Sequence, residues 1–128
     1  MEQTDSIIEA NTRFYRAFEL FDIEDMSEIW DKEEGITCIH PGWPLIQGRK
    51  EVLQSWINIF NNTMVMQFTI TESLIKIEGD WAWIICEEYL RSVVNGKVNE
   101  GKVEATNIFR RIEKTWYLVH HHGSPVMN

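Results

Sequence analysis

Four strand-like runs fill the C-terminal half of the chain, and in one of them, "WAWIIC" (Trp81 to Cys86), both alternating sets of side chains are apolar. Successive side chains of a strand point to opposite faces of its sheet. An antiparallel strand with one wet face alternates apolar with polar residues, so this run needs cover on both sides. Helices of the same chain can supply one cover. The other is supplied most simply by a second copy of the protein. The companion runs are "MVMQFTITESLIKIE", "KVEATNIFRRIE" and "TWYLVHHH", separated by the turns "EGD", "NGKVNEG" and "EKT". Asn95-Gly96 is a strong hairpin signal.

The N-terminal half supplies the helices. Ile7, Ala10, Phe14, Ala17, Phe18 and Phe21 recur at three- and four-residue steps, which predicts a helix over 6–21. Ser6 and Glu9 have the spacing of a capping box at its start. Asp22 is placed to cap a short second helix over 22–31. A third is expected over 49–61, burying Val52, Leu53, Trp56, Ile57 and Phe60. Between them "GITCIH" reads as a strand and the Pro- and Gly-punctuated "PGWPLIQG" as a loop. The predicted order is α-α-β-α followed by four antiparallel strands, in one domain over 1–128.

Charge removes two classes of partner. The formal net charge is −8 and the pI about 4.9. Phosphate-rich partners select basic surfaces, which argues against nucleic acid and against an anionic membrane surface. The apolar runs are too short to span a bilayer, and the acidic start has no signal-peptide core. Cys38 and Cys86 lie inside strands without metal spacing, so both read as small core residues in a reducing cytoplasm. Six tryptophans in 128 residues leave aromatic surface for the walls of a pocket.

The segments Ala105-Thr106-Asn107-Ile108-Phe109 and Val119-His120-His121-His122-Gly123-Ser124-Pro125, with "HPGWPLIQGRKEV", resemble the SnoaL-like domains of the nuclear transport factor 2-like superfamily. They are also similar to the association domain of calcium/calmodulin-dependent protein kinase. The resemblance implies an α+β cone, in which three helices pack in a curved, mainly antiparallel sheet and leave a pocket at the open end. It also implies two classes of activity. One is an isomerase, cyclase or dehydratase acting on a small carbonyl compound without a cofactor. The other is a non-catalytic ligand-binding or oligomerisation module. Arginines line the pocket of the kinase association domain. Here Tyr89 and Asn107 fall at two of those positions, so a small apolar or mildly polar ligand is expected.

Proton transfer beside a carbonyl needs a base near the carbon and a donor for the developing enolate oxygen. His122, His40 and Glu87 are the expected catalytic groups. Glu88 is the alternative to Glu87, because the two adjacent carboxylates must face opposite ways. Tyr15, Tyr89, Asn107 and Trp56 are candidate donors. Trp30, Trp43, Trp56 and His120 complete the expected ligand-binding set. Strand parity puts His120 and His122 on the face of Trp116 and Leu118, towards the pocket. His121 then falls on the outer face, with Tyr117 and Val119, against a partner subunit in a homodimer. The histidine run continues an apolar pattern, so it is native rather than a purification remnant. No metal site is expected. The plainer alternative is that His120 and His122 are strand-end residues tied to backbone carbonyls or to Ser124.

Overall fold

The computed structural model describes residues 2–127. Helix α1 (Glu2–Glu19), helix α2 (Ile23–Ile29), strands β1 (Thr37–Ile39) and β2 (Ile46–Gln47) and helix α3 (Arg49–Asn62) precede four long strands. These are β3 (Val65–Glu78), β4 (Trp81–Val94), β5 (Lys97–Ile112) and β6 (Thr115–Pro125). The strands form one sheet in the order β2-β1-β6-β5-β4-β3. Every junction is antiparallel except β1 with β6, where Thr37, Cys38 and Ile39 run parallel to His120, His121 and His122. The fold is the expected α+β arrangement, with three helices on a mixed, mostly antiparallel sheet.

Local details differ from the sequence reading. Helix α1 begins at Glu2, not at Ser6. The Ser6 hydroxyl donates to Gln3 O (3.0 Å) and accepts from Trp116 Nε1 (3.1 Å), so it ties the helix to β6 instead of capping it. Asp22 does cap α2, accepting from Asp25 N at 3.0 Å. The stretch "NGKVNEG" is not a loop. Only Asn95 and Gly96 turn, both at positive φ, as a tight two-residue hairpin requires, and β5 starts at Lys97. The Pro-rich segment contributes the two-residue strand β2.

The helices cover one face of the sheet, called inner here. Phe14, Phe18 and Trp56 interlock edge-to-face, with ring centroids 5.6 Å (Phe14–Trp56) and 4.8 Å (Phe18–Trp56) apart. All three are buried against Ile84, Phe109 and Leu118 of the sheet. Each such side chain contributes about 2–3 kcal/mol by leaving water. Arg49, at the start of α3, donates to the carbonyls of Ser27 (2.8 Å), Trp30 (3.2 Å) and Asp31 (2.9 Å). These are carbonyls that the end of α2 leaves without partners, so one side chain fixes α3 against α2.

Two register shifts decide what the inner face displays. On β5 and β6, Phe109 pairs with Leu118 and Ile108 with His120, so Val119 is an extra residue. A bulge of this kind reverses the alternation beyond it. Trp116 and Leu118 are buried before the bulge, and His121 and Gly123 after it. A similar shift between Glu72 and Leu74 reverses β3.

Candidate functional site

Beyond the bulge the inner face carries polar residues under an aromatic roof. His121 is 2% exposed and Asn107 0%, and they sit opposite each other on β6 and β5. His121 Nδ1 is 2.5 Å from Asn107 Oδ1. The Asn107 amide nitrogen donates to Asn11 Oδ1 (2.8 Å) and Tyr15 Oη (3.2 Å). Tyr15 in turn donates to Glu88 Oε2 at 2.5 Å. Asn11 and Tyr15 come from α1, Glu88 from β4, Asn107 from β5 and His121 from β6, so the helix seat and the strand register assemble the chain jointly.

The network sets its own tautomers. An amide oxygen only accepts, so His121 donates from Nδ1 and carries its lone pair on Nε2. Burial, reinforced by His40, His120 and His122, holds the His121 imidazole well below its ordinary pKa, and it stays neutral. Burial pushes the Glu88 carboxyl up to about 7, with the Tyr15 hydrogen bond acting in the opposite direction. The Tyr15 phenol is pushed well above its ordinary value by burial and then by Glu88. The same small volume therefore holds a neutral base and a carboxyl that is partly protonated at neutral pH.

His40 extends the site. It is 3% exposed, and its Nε2 lies 2.9 Å from Ser55 Oγ. Ser55 spends its proton on Val52 O at 2.6 Å, so it accepts from His40 Nε2–H and leaves Nδ1 as the basic nitrogen. Burial lowers His40 to about 4. Its ring lies 4.6 Å from Trp56, 4.8 Å from Trp43 and 6.4 Å from His121. Gly123 lets the His40 loop settle on β6, because a Cβ there would meet Pro41 Cγ at 3.0 Å. The Trp56 indole N–H is buried without a hydrogen-bond partner, a donor available to an oxygen placed beside it.

Tyr15, His40, Trp56 and Asn107 from the expected set are brought together. Others are not. His120 and His122 do not project inwards. His120 is half-buried, with Nδ1 2.7 Å from Thr37 Oγ1, and His122 is exposed. The extra residue Val119 is the cause, and it turns His121 inwards in their place. Glu87 is on the outer face near Lys102 Nζ (3.9 Å), and Tyr89 is 58% exposed beside the same lysine. The inner carboxylate is Glu88. Trp30 is fully buried, 6.4 Å from Phe14 and bridged to Leu118, as a core residue. Trp43, 42% exposed, covers His40 from outside. Sequence reasoning missed Asn11. It lies one turn before Tyr15 on α1, and a polar residue on a helix's buried stripe is the signal that could have found it. Among the described residues no three His, Cys, Asp or Glu side chains converge as a metal site, and no helix is long and apolar enough to cross a membrane.

Comparison with known proteins agrees with this architecture. Residues 7–128 match the SnoaL-like domain family. A structure from Streptomyces avermitilis, named as a candidate dehydratase of the NTF2-like family, superimposes with a TM-score of 0.92 and 37% identity over 100% of both chains. A candidate calcium/calmodulin-dependent protein kinase type II association domain from Thiobacillus denitrificans gives 0.83 and 28%, over 92% of this chain and 93% of that one. A ketosteroid isomerase-like protein from Erwinia carotovora atroseptica shares the fold at 0.82 and 18%, over 97% of this chain and 96% of that one. The F-box protein SKIP8 of Arabidopsis thaliana is 31% identical over 124 residues, which are 97% of this chain but 51% of that protein's length. This chain thus spans about half the length of that relative. The chain belongs to the SnoaL-like domain family of the nuclear transport factor 2-like superfamily.

Proposed function

We propose that this chain is a small-molecule enzyme of the isomerase, cyclase or dehydratase type, moving a proton next to a carbonyl with its own side chains. The observation that carries this reading is the buried chain His121–Asn107–Tyr15–Glu88. Environments that push two titratable groups apart assign them opposite roles. Neutral His121 takes the proton at Nε2. With Glu88 protonated and donating to the Tyr15 oxygen, Tyr15 turns its own hydroxyl proton to the developing enolate oxygen, and fixed donors in a dry site stabilise such an oxygen far better than water does. The Trp56 indole N–H is a second donor for that oxygen. His40 is the alternative base, through Nδ1. A small apolar or mildly polar carbonyl compound suits the aromatic roof. The test is hydrogen–deuterium exchange at the α-carbon of a panel of small ketones and hydroxy-ketones, followed by proton NMR. His121→Ala is expected to slow exchange by about a hundredfold or more. Exchange that is no faster with the protein than without it removes the enzyme reading.

A second reading, a non-catalytic ligand-binding or oligomerisation module, is favoured by the outer face. Trp83, Ile85 and Ile108 are half-buried there and Trp81 is 47% exposed, an apolar patch of the sort that marks an interface. In either reading we propose that a second copy covers it in a homodimer.

A further inference from the structure

The Asn107 carboxamide fits its site in two orientations, which differ only in which end carries the oxygen and which the donors. Turned over, it would donate from Nδ2 to His121 Nδ1. The imidazole proton would then sit on Nε2, and the ring would keep no free lone pair. Two neighbours choose between the orientations. Tyr15 is one: while it donates to Glu88 its oxygen only accepts, and it takes Asn107 Nδ2 at 3.2 Å. That preference lapses once Glu88, which titrates at about 7, holds its proton and donates to Tyr15, because the phenol can then donate to an amide oxygen itself. Asn11 is the other. Its Oδ1 accepts from Asn107 Nδ2 at 2.8 Å, and its Nδ2 points at Glu72 Oε2 at 3.4 Å. Glu72 is half-buried on the inner face of β3, opposite Cys86, at the register shift of that strand. A carboxylate only accepts. The 3.4 Å contact is long, but turning Asn11 over would replace a donor with an oxygen in front of a full charge. Cys86 Sγ, 4.0 Å from Asn11 Nδ2 and 3.9 Å from Asn107 Nδ2, is a weak partner for either orientation. The choice therefore passes inwards end by end. Glu72 requires a donor of Asn11, Asn11 then offers its oxygen to Asn107, and Asn107 offers its oxygen to His121.

We infer that Glu72 is a positioning residue for His121: through Asn11 and Asn107 it keeps the ring proton on Nδ1 and the lone pair on Nε2. The use of that lone pair as a base rests on the acid–base reading above. The relay itself does not. It runs over three hydrogen bonds, from β3 through α1 and β5 to β6. A half-buried carboxylate on the edge strand thus selects which nitrogen of a buried imidazole is basic.

The test is the separation of the two His121 ring-nitrogen shifts in the full chain labelled with ¹⁵N-histidine, at pH 6, where the Tyr15 preference has lapsed. The two nitrogens of a single tautomer resonate far apart, and exchange between tautomers draws them together. The amide of Glu72→Gln meets either end of Asn11, so the Nε2–H form should rise from about one part in a hundred to about one in ten, narrowing the separation by about a fifth. Glu19→Gln is the control. It removes the same charge from the same face of the molecule, but Glu19 bonds Phe68 N (2.8 Å) and not Asn11, so the shifts should stay as in the wild type. Unchanged shifts in Glu72→Gln, even with a loss of stability, overturn the inference, and so does equal narrowing in Glu19→Gln. Narrowed shifts in a protein that catalyses no α-proton exchange keep the relay and remove the enzyme reading. Exchange activity with shifts indifferent to Glu72→Gln does the reverse.

Discussion

His121 Nδ1 donates to Asn107 Oδ1 across the β5–β6 pair, at 2.5 Å and with both residues buried. Asn107 also serves Asn11 and Tyr15, so one carboxamide satisfies groups from two other elements, α1 and β6. Asn107→Ala leaves several buried polar atoms without partners, and each costs about 1–3 kcal/mol. A loss of about 2–4 kcal/mol in urea denaturation is expected. Thr106→Ala, one residue away and half-buried on the outer face, should change stability by no more than about 0.5 kcal/mol.

Stability should respond to pH in two opposed ways. Glu88 titrates near 7 in the folded state, above its ordinary 4.5. Its contribution is complete below about 4.5 and is lost as pH rises through about 7. His40 is shifted the other way, to about 4 from 6.5, and His121 moves in the same direction. The His40 contribution is complete above about 6.5 and is lost as pH falls towards 4, and the His121 contribution is lost in the same direction. Glu88→Gln keeps an acceptor for Tyr15 and removes only the first dependence. Thermal melts from pH 4.5 to 8 should show the variant gaining on the wild type as pH rises, by on the order of 1–3 kcal/mol, with the acid-side loss unchanged in both.

Deleting Val119 removes the bulge and keeps the pairing on either side of it. Leu118, His120, His121 and His122 then alternate without a break, so His121 still shares the inner face with Leu118 and still stands opposite Asn107. The expected outcome is a folded protein, seen as a well-dispersed proton–nitrogen spectrum. Collapsed amide dispersion would contradict the reading of Val119 as a residue extra to the ladder.

The apolar outer face gives a mass prediction. Wild-type protein at micromolar concentration should scatter light as a dimer of 30 kDa, twice the 15.2 kDa chain. Ile108→Glu puts a charge at the centre of the patch and should yield a folded monomer. A wild-type monomer contradicts the interface.

The fold was legible because periodicity alone separates the Ile7/Phe14/Phe18 stripe of α1 from the two-sided apolar run of β4. The site was legible by residue type and misread by orientation. Period-2 alternation carries from Leu118 to His122 only along an unbroken ladder, and nothing in "WYLVHHHG" marks Val119 as the extra residue. The same limit affected Glu87 and Glu88. Adjacent strand residues face opposite ways, but which one faces in depends on the register against Tyr15 of a helix more than 70 positions earlier. His40 belongs to a Pro- and Gly-rich loop. Its burial depends on Gly123 and Ser55, which approach it only in three dimensions.

The most direct test is the tautomer and charge of His121, read from long-range proton–nitrogen correlations of its ring at pH 7. The expected pattern is a neutral imidazole with the proton on Nδ1 and a free Nε2, holding as pH falls below the ordinary imidazole range. A ring protonated on Nε2 alone, or an imidazolium near neutral pH, contradicts the assignment of His121 as the buried base.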